Sequence, residues 1–266
     1  MGKSLLVLIV MVAGVCAQAP SPHPAFEAFE VATIKPTPPD WNGGRFIRMQ
    51  TAHQLVARNH SIKTLLAAAY NLSPHAIFGV PEWGDSDHYD ILAQVPGDIR
   101  PNLDEQMAML RKLLADRFGL VFHRERREMP VYALTVAKNG PQLKPTKIPD
   151  DVTPAGPPAL AFVIAPDGVS LPAVSATVGE FASVLQRAAM NRPVVDQTGL
   201  TGRYDFLLDF LPDETQFGGL GLKPNPDRPK PDLFAAVQQQ LGLRLEATKG
   251  TVDTLVVDRF TKPSEN

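Results

Sequence analysis

The sequence predicts an α+β fold of two tandem lobes, each running helix, strand, helix, strand, strand with mixed or antiparallel sheets. Three observations predict it. Apolar residues recur at helical spacing in four separate stretches, short alternating runs lie between those stretches, and the landmarks of the first half return in order in the second. A single unit of this kind leaves one face of its sheet or helices bare, so packing two copies together is the economical solution.

Phe29-Glu30-Val31-Ala32-Thr33-Ile34 alternates as a strand and stops at Lys35-Pro36. A Pro- and Gly-rich loop follows, and then strand-like stretches between Arg45 and Asn59. Ser61 is placed to cap a helix whose apolar face is Ile62, Leu65, Leu66 and Ala69, and Pro74 blocks its continuation. Tyr89 to Val95 reads as a strand ended by Pro96-Gly97. A second helix begins near Asp104, carries the stripe Met107, Leu110, Leu114 and Phe118, and stops at Gly119. Leu120–His123 and Val131–Val136 then read as an antiparallel pair. The charged run Arg124-Glu125-Arg126-Arg127-Glu128 between them is a solvated hairpin.

From Lys138 to about Ser175 the chain is dense in proline, glycine and aspartate, which reads as an interdomain connection. The plan then recurs. Thr177 and Glu180 have capping-box spacing ahead of Val178, Phe181, Leu185 and Ala188. Tyr204-Asp205 opens a strand as Tyr89-Asp90 does. A Gly/Pro-rich insertion from Pro212 to Pro231 reads as a mobile loop. Asp232 caps a helix of Leu233, Phe234, Val237 and Leu241 that ends at Gly242, and Leu243–Glu246 with Thr254–Val257 form the closing pair.

Residues 1–19 read as a cleavable secretory leader: Lys3 precedes a short apolar run, and Ala17-Gln18-Ala19 offers the cleavage site. The run is too short for the ~20 residues of a membrane helix. The expected organisation is therefore a leader at 1–19, an N-terminal lobe at 20–140, a Pro-rich connection at 141–175 and a C-terminal lobe at 176–266. The protein is expected to be secreted or periplasmic. A lipid anchor at Cys16 is disfavoured by the bulky Val15 before it. Cys16 is the one cysteine and would leave with the leader, which removes disulfides, thiol nucleophiles and cysteine metal ligands from the remaining chain.

The formal charge of −2 argues against nucleic-acid binding, as does the dilution of the one basic cluster by acids. The densest chemistry lies in Glu82-Trp83-Gly84-Asp85-Ser86-Asp87-His88-Tyr89-Asp90. Asp85 and Asp87 have oxygens that suit a hard cation, and His88 beside carboxylates suits acid/base work. Trp83, Asp85, Asp87, His88 and Tyr89 are the candidate ligand-binding residues. The competing reading is a polar turn before a strand, with the aromatics closing a core.

No catalytic residue, metal site or cofactor is assigned. The histidines lack zinc spacing, no serine stands in a nucleophile motif, and Gly218-Gly219-Leu220-Gly221 has neither the preceding strand nor the following helix of a phosphate loop.

These landmarks resemble a family of exported soil-bacterial proteins of unknown function. The likeness rests on Phe29 to Pro36, on Pro81-Glu82-Trp83 with Asp87 to Asp90, and on Leu113 to Phe118. It continues in Pro130 to Leu134, Val195 to Phe206 and Lys262-Pro263-Ser264-Glu265-Asn266. The family carries no catalytic assignment. Each half more loosely resembles the short N-terminal domain of secretins and TonB-dependent receptors, a periplasmic docking module. That likeness implies a non-catalytic binding module whose partner is an envelope protein, a peptide or a cell-wall fragment. The alternative is a secreted hydrolase using the 82–90 segment with a histidine from elsewhere.

Overall fold

The computed structural model describes residues 26–263, apart from positions 98, 150–159, 218–221, 224–225 and 228. Residues 1–25, with Cys16 and the expected leader, the Gly218–Gly221 run and the last three residues lie outside the described residues.

The first half contains β1 (Val31–Pro36), β2 (Phe46–Thr51), β3 (Gln54–Ser61), α1 (Ile62–Ala69), β4 (Ile77–Phe78), α2 (Glu82–Ser86), β5 (His88–Gln94), α3 (Leu103–Phe118) and β6 (Val121–Val136). The second contains β7 (Lys144–Pro145), β8 (Val163–Ala165), β9 (Gly168–Thr177), α4 (Val178–Ala188), β10 (Val194–Asp196), β11 (Arg203–Phe210), α5 (Leu233–Leu241) and β12 (Leu243–Arg259). The chain is thus α+β, with three four-stranded sheets ordered β1-β5-β3-β2, β10-β6-β12-β4 and β7-β11-β9-β8. Strands β7, β8 and most of β9 come from the segment that reads as a connection.

The helix boundaries follow the local chemistry of the sequence. Ser61 accepts from the Thr64 amide at 3.3 Å, and Asp232 accepts from the Ala235 amide at 2.9 Å. Thr177 and Glu180 close a reciprocal capping box at 3.1 and 2.7 Å. Asn102 and Glu105 form another, which places the start of α3 one residue before the acids that mark it in the sequence. Gly119 and Gly242 end α3 and α5 in the left-handed conformation. At Gly242 a Cβ would also lie 2.1 Å from the Gly140 carbonyl oxygen, so only glycine fits there.

The two closing hairpins expected from the sequence do not form. Val121–His123 and Val131–Val136 belong to one continuous strand, β6, and Leu243–Glu246 and Thr254–Val257 to another, β12. The two pair antiparallel with each other, from Val136↔Leu243 to Val121↔Arg259. For β6 the physical reason is turn chemistry. Arg124–Glu128 contains none of the Gly, Asn or Asp residues that a tight hairpin requires, so the strand runs straight through. Each half therefore ends by lending its long strand to the other.

The resulting ribbon is shared by two cores. Leu120, Leu255 and Val257 pack with α1 and α3 in the first. Leu134, Leu243 and Leu245 pack with α4 and α5 in the second. The two cores thus meet across the β6–β12 ladder, and the turn after α1 reaches α4 through Asn71 Nδ2 donating to Ser183 Oγ at 3.2 Å. No helix among the described residues is long and apolar enough to cross a membrane.

Candidate functional site

The 82–90 segment is a short helix followed by a strand. Pro81 fixes the entry to α2, and Gly84 is buried where a Cβ would meet Val80 Cγ1 at 2.6 Å. Trp83 turns inward and stacks on Phe260, with ring centroids 5.2 Å apart. Phe260 in turn stacks on Phe118 at 5.2 Å, and Tyr89, 6% exposed, meets the same Phe118 edge-on at 5.9 Å. The aromatics of the segment thus close the first core. They are organised by Phe260, which sequence reasoning did not single out.

The charged residues tie the segment down. Lys63 of α1 donates to Asp85 at 2.7 Å. Lys262 lies over the Trp83 ring and donates to Asp87 at 2.7 Å, and this bond holds the Asp87 carboxyl below the usual carboxylate range. Thr261 follows the same path, donating its amide and hydroxyl to the Phe118 carbonyl at 2.9 and 3.1 Å, which satisfies an end carbonyl of α3. Residues 260–262 therefore strap α2 to α3. The Lys262→Met variant is expected to raise the Asp87 pKa toward the ordinary carboxylate range, as an NMR titration of the carboxyl would read. An unmoved Asp87 would show that the strap does not set its charge.

His88 is exposed, and its Nδ1 lies 2.7 Å from Asn59 Oδ1. Asp90 receives Arg58 Nη1 at 2.5 Å, the Asn59 amide at 3.0 Å and the Thr37 hydroxyl at 2.9 Å. Burial pushes its pKa up, but these donors outweigh burial and hold the carboxyl below its ordinary value. Among the described residues, no group of three or more His, Cys, Asp and Glu is placed to hold a metal ion. Two clefts lie elsewhere. One of about 310 Å³ is lined by Asn139, Gln142 and Gln238 beside the end of α5, and one of about 200 Å³ by Phe29, Lys112 and Asp116.

The second half repeats the Asp90 geometry. Asn59 and Ser175 both take a positive φ, 57° and 51°, two residues before a helix N-cap. Each donates its amide to the carboxylate that follows a tyrosine, Asn59 to Asp90 at 3.0 Å and Ser175 to Asp205 at 2.8 Å. The recurring Tyr-Asp pair thus secures a strand-to-helix corner in both lobes. Side chains differ at the corner: Arg58, Asn59 and His60 stand where the second lobe has Val174, Ser175 and Ala176.

The middle of the ribbon is the other distinctive surface. Between Arg124 and Pro130 on β6, and between Glu246 and Asp253 on β12, every residue is exposed or half-buried. Flanking strands reach only the ends of the ladder. β10 pairs with Tyr132–Leu134 of β6, and β4 pairs with Leu255 and Val256 of β12. On β6, Glu125 pairs with Arg127, and Arg126 faces Asp253 of β12 at 3.8 Å. Both outer edges of the ribbon are otherwise free of strand partners there among the described residues.

The fold is α+β, with three four-stranded sheets and two large cores that share one open-edged ribbon. The chain belongs to a family described as protein of unknown function (DUF3738), whose profile matches residues 63–260. No curated protein and no solved structure matches it.

Proposed function

We propose that this protein is an exported, non-catalytic binding module that takes up an extended peptide segment by strand addition along the β12 edge of the ribbon. The open stretch of that edge, Glu246 to Asp253, carries this reading. An unpaired strand edge presents main-chain donors and acceptors in a row, and peptides bind such edges through them. The opposite edge, on β6, is blunted by five successive charges, Arg124 to Glu128, and by Pro130, which has no N–H to offer. The β12 edge has no proline and only Glu246, Lys249 and Asp253 as charges along its open stretch.

Two further features support the reading. The leader pattern at 1–19 supports export to the compartment where an envelope partner would be met. The helix-Gly-Leu-strand landmarks at Gly119-Leu120 and Gly242-Leu243 support both the treatment of the halves as copies of one unit and the likeness to a periplasmic docking domain. A hydrolase would need a free carboxylate beside His88, whereas Asp85, Asp87 and Asp90 each hold a lysine or an arginine.

The test is selection of ten-residue peptides on the purified chain, followed by N-methylation of alternate amides in a selected peptide. That change removes main-chain donors and leaves side chains intact. Binding should be saturable and should vanish for one of the two alternations. Binding that survives both would rule out strand addition, and an absence of saturable binding would rule out the module.

A further inference from the structure

The corner that the two lobes share isolates one residue the fold does not require. His60 lies in β3 one residue before the cap of α1, 6% exposed, and its Nε2 is buried without a hydrogen-bond partner. Its Nδ1 is 3.2 Å from Thr64 Oγ1. At the same place in the second lobe stands Ala176, fully buried, after the same positive-φ residue and beside the same amide-to-aspartate bond. The corner therefore forms with a methyl group at this position. The imidazole adds a buried polar atom, which is a cost to the fold when left unsatisfied.

The surroundings of His60 favour its neutral form, burial above all. The nearby acid, Asp90, is already engaged by Arg58, Thr37 and the Asn59 amide. Arg45 ahead of β2 and His88 at the head of β5 both oppose a positive charge on the ring. Asp90 and the Phe46 backbone favour one, and α1 contributes only the Thr64 hydroxyl. A proton on His60 would thus place a cation with no ion-pair partner of its own in the first core, between β3 and the start of α1.

We infer that His60 is an acid-sensing element that opens the N-terminal lobe, and with it one end of the ribbon, while the C-terminal lobe stays folded. Leu255 and Val257 of β12 pack in the N-terminal core, so its opening releases that end of the docking strand. Burial holds the His60 pKa down at about 3, below the 6.5 of a free imidazole. A depressed folded-state value leaves stability intact above the unfolded pKa and removes it as pH falls between the two. Each unit of pH in that window shifts the opening equilibrium about tenfold, or about a hundredfold by pH 4.5.

Both tryptophans, Trp41 and Trp83, lie in the N-terminal lobe, so their fluorescence follows that lobe alone. Urea unfolding followed by tryptophan fluorescence at pH 7 and pH 4.5 should show the wild-type N-terminal lobe weakened by about a hundredfold in its equilibrium. His60→Ala, which installs the second lobe's residue, should lose most of that difference. His75→Gln, which alters an exposed histidine of the lobe, should keep most of it. If His60→Ala does not fold, His60→Gln serves the same purpose without a titratable ring. A pH difference unchanged in the His60 variant would overturn the inference. So would amide exchange at pH 4.5 showing α4 and α5 opening together with α1 and α3.

Discussion

Replacing Phe118 with alanine is expected to destabilise the N-terminal lobe by about 4 kcal/mol, in the range for a fully buried phenylalanine. Phe118 is completely buried at the end of α3, where Phe260 stacks on its face and Tyr89 meets it edge-on. Phe260 in turn seats Trp83, so the variant removes the ring on which the strap and α2 both rest. Such a loss is a large share of the 5–15 kcal/mol that keeps a domain folded. A shift of the urea midpoint, read by Trp83 and Trp41 fluorescence, measures it. A loss under about 1 kcal/mol would mean that the site collapses around the missing ring. The aromatic stack would then not be what fixes the 82–90 segment.

The second large effect is expected at Asp90. Its side chain is 11% exposed, and removing it leaves the Asn59 amide without its acceptor and Arg58 without its counter-ion. Asp90→Ala should cost about 3 kcal/mol, the scale for breaking a largely buried pair, reduced because Arg58 keeps contact with solvent. Asp205→Ala, which loses the single Ser175 amide bond, should cost about 1 kcal/mol. The pH dependence follows from the lowered Asp90 pKa. Its contribution is complete above the unfolded carboxylate value of about 3.9 and is lost as pH falls through the folded value. Denaturant titrations of the two variants at pH 7 measure the difference. Equal losses would imply that the Arg58 and Thr37 bonds add nothing.

Local chemistry was legible in the sequence wherever a short-range rule governs it. The caps at Ser61, Thr177 and Asp232 and the left-handed stops at Gly119 and Gly242 lie where the residue types place them. The α+β class follows from the same periodicities. The ribbon was not legible. Val131–Val136 reads the same whether it folds back on Leu120–His123 or pairs with Leu243–Thr248, because alternation fixes which face a residue takes and not which strand it meets.

The surroundings of the 82–90 segment were not legible for a related reason. Its acids and aromatics look like a site when read alone. Their partners, Lys63, Phe118, Phe260 and Lys262, come from three other parts of the chain. In the sequence His60 is one of the histidines without zinc spacing and no more, because burial decides its chemistry and nothing beside it marks it as buried.

Amide hydrogen exchange across β12, with and without a selected peptide at pH 7, tests the docking account most directly. Strand addition predicts that alternate amides between Glu246 and Asp253 exchange quickly in the free chain and slow on peptide binding, while those of Arg124–Glu128 are unchanged. Protection that instead falls on the 82–90 segment, or on no part of the ribbon, would contradict it.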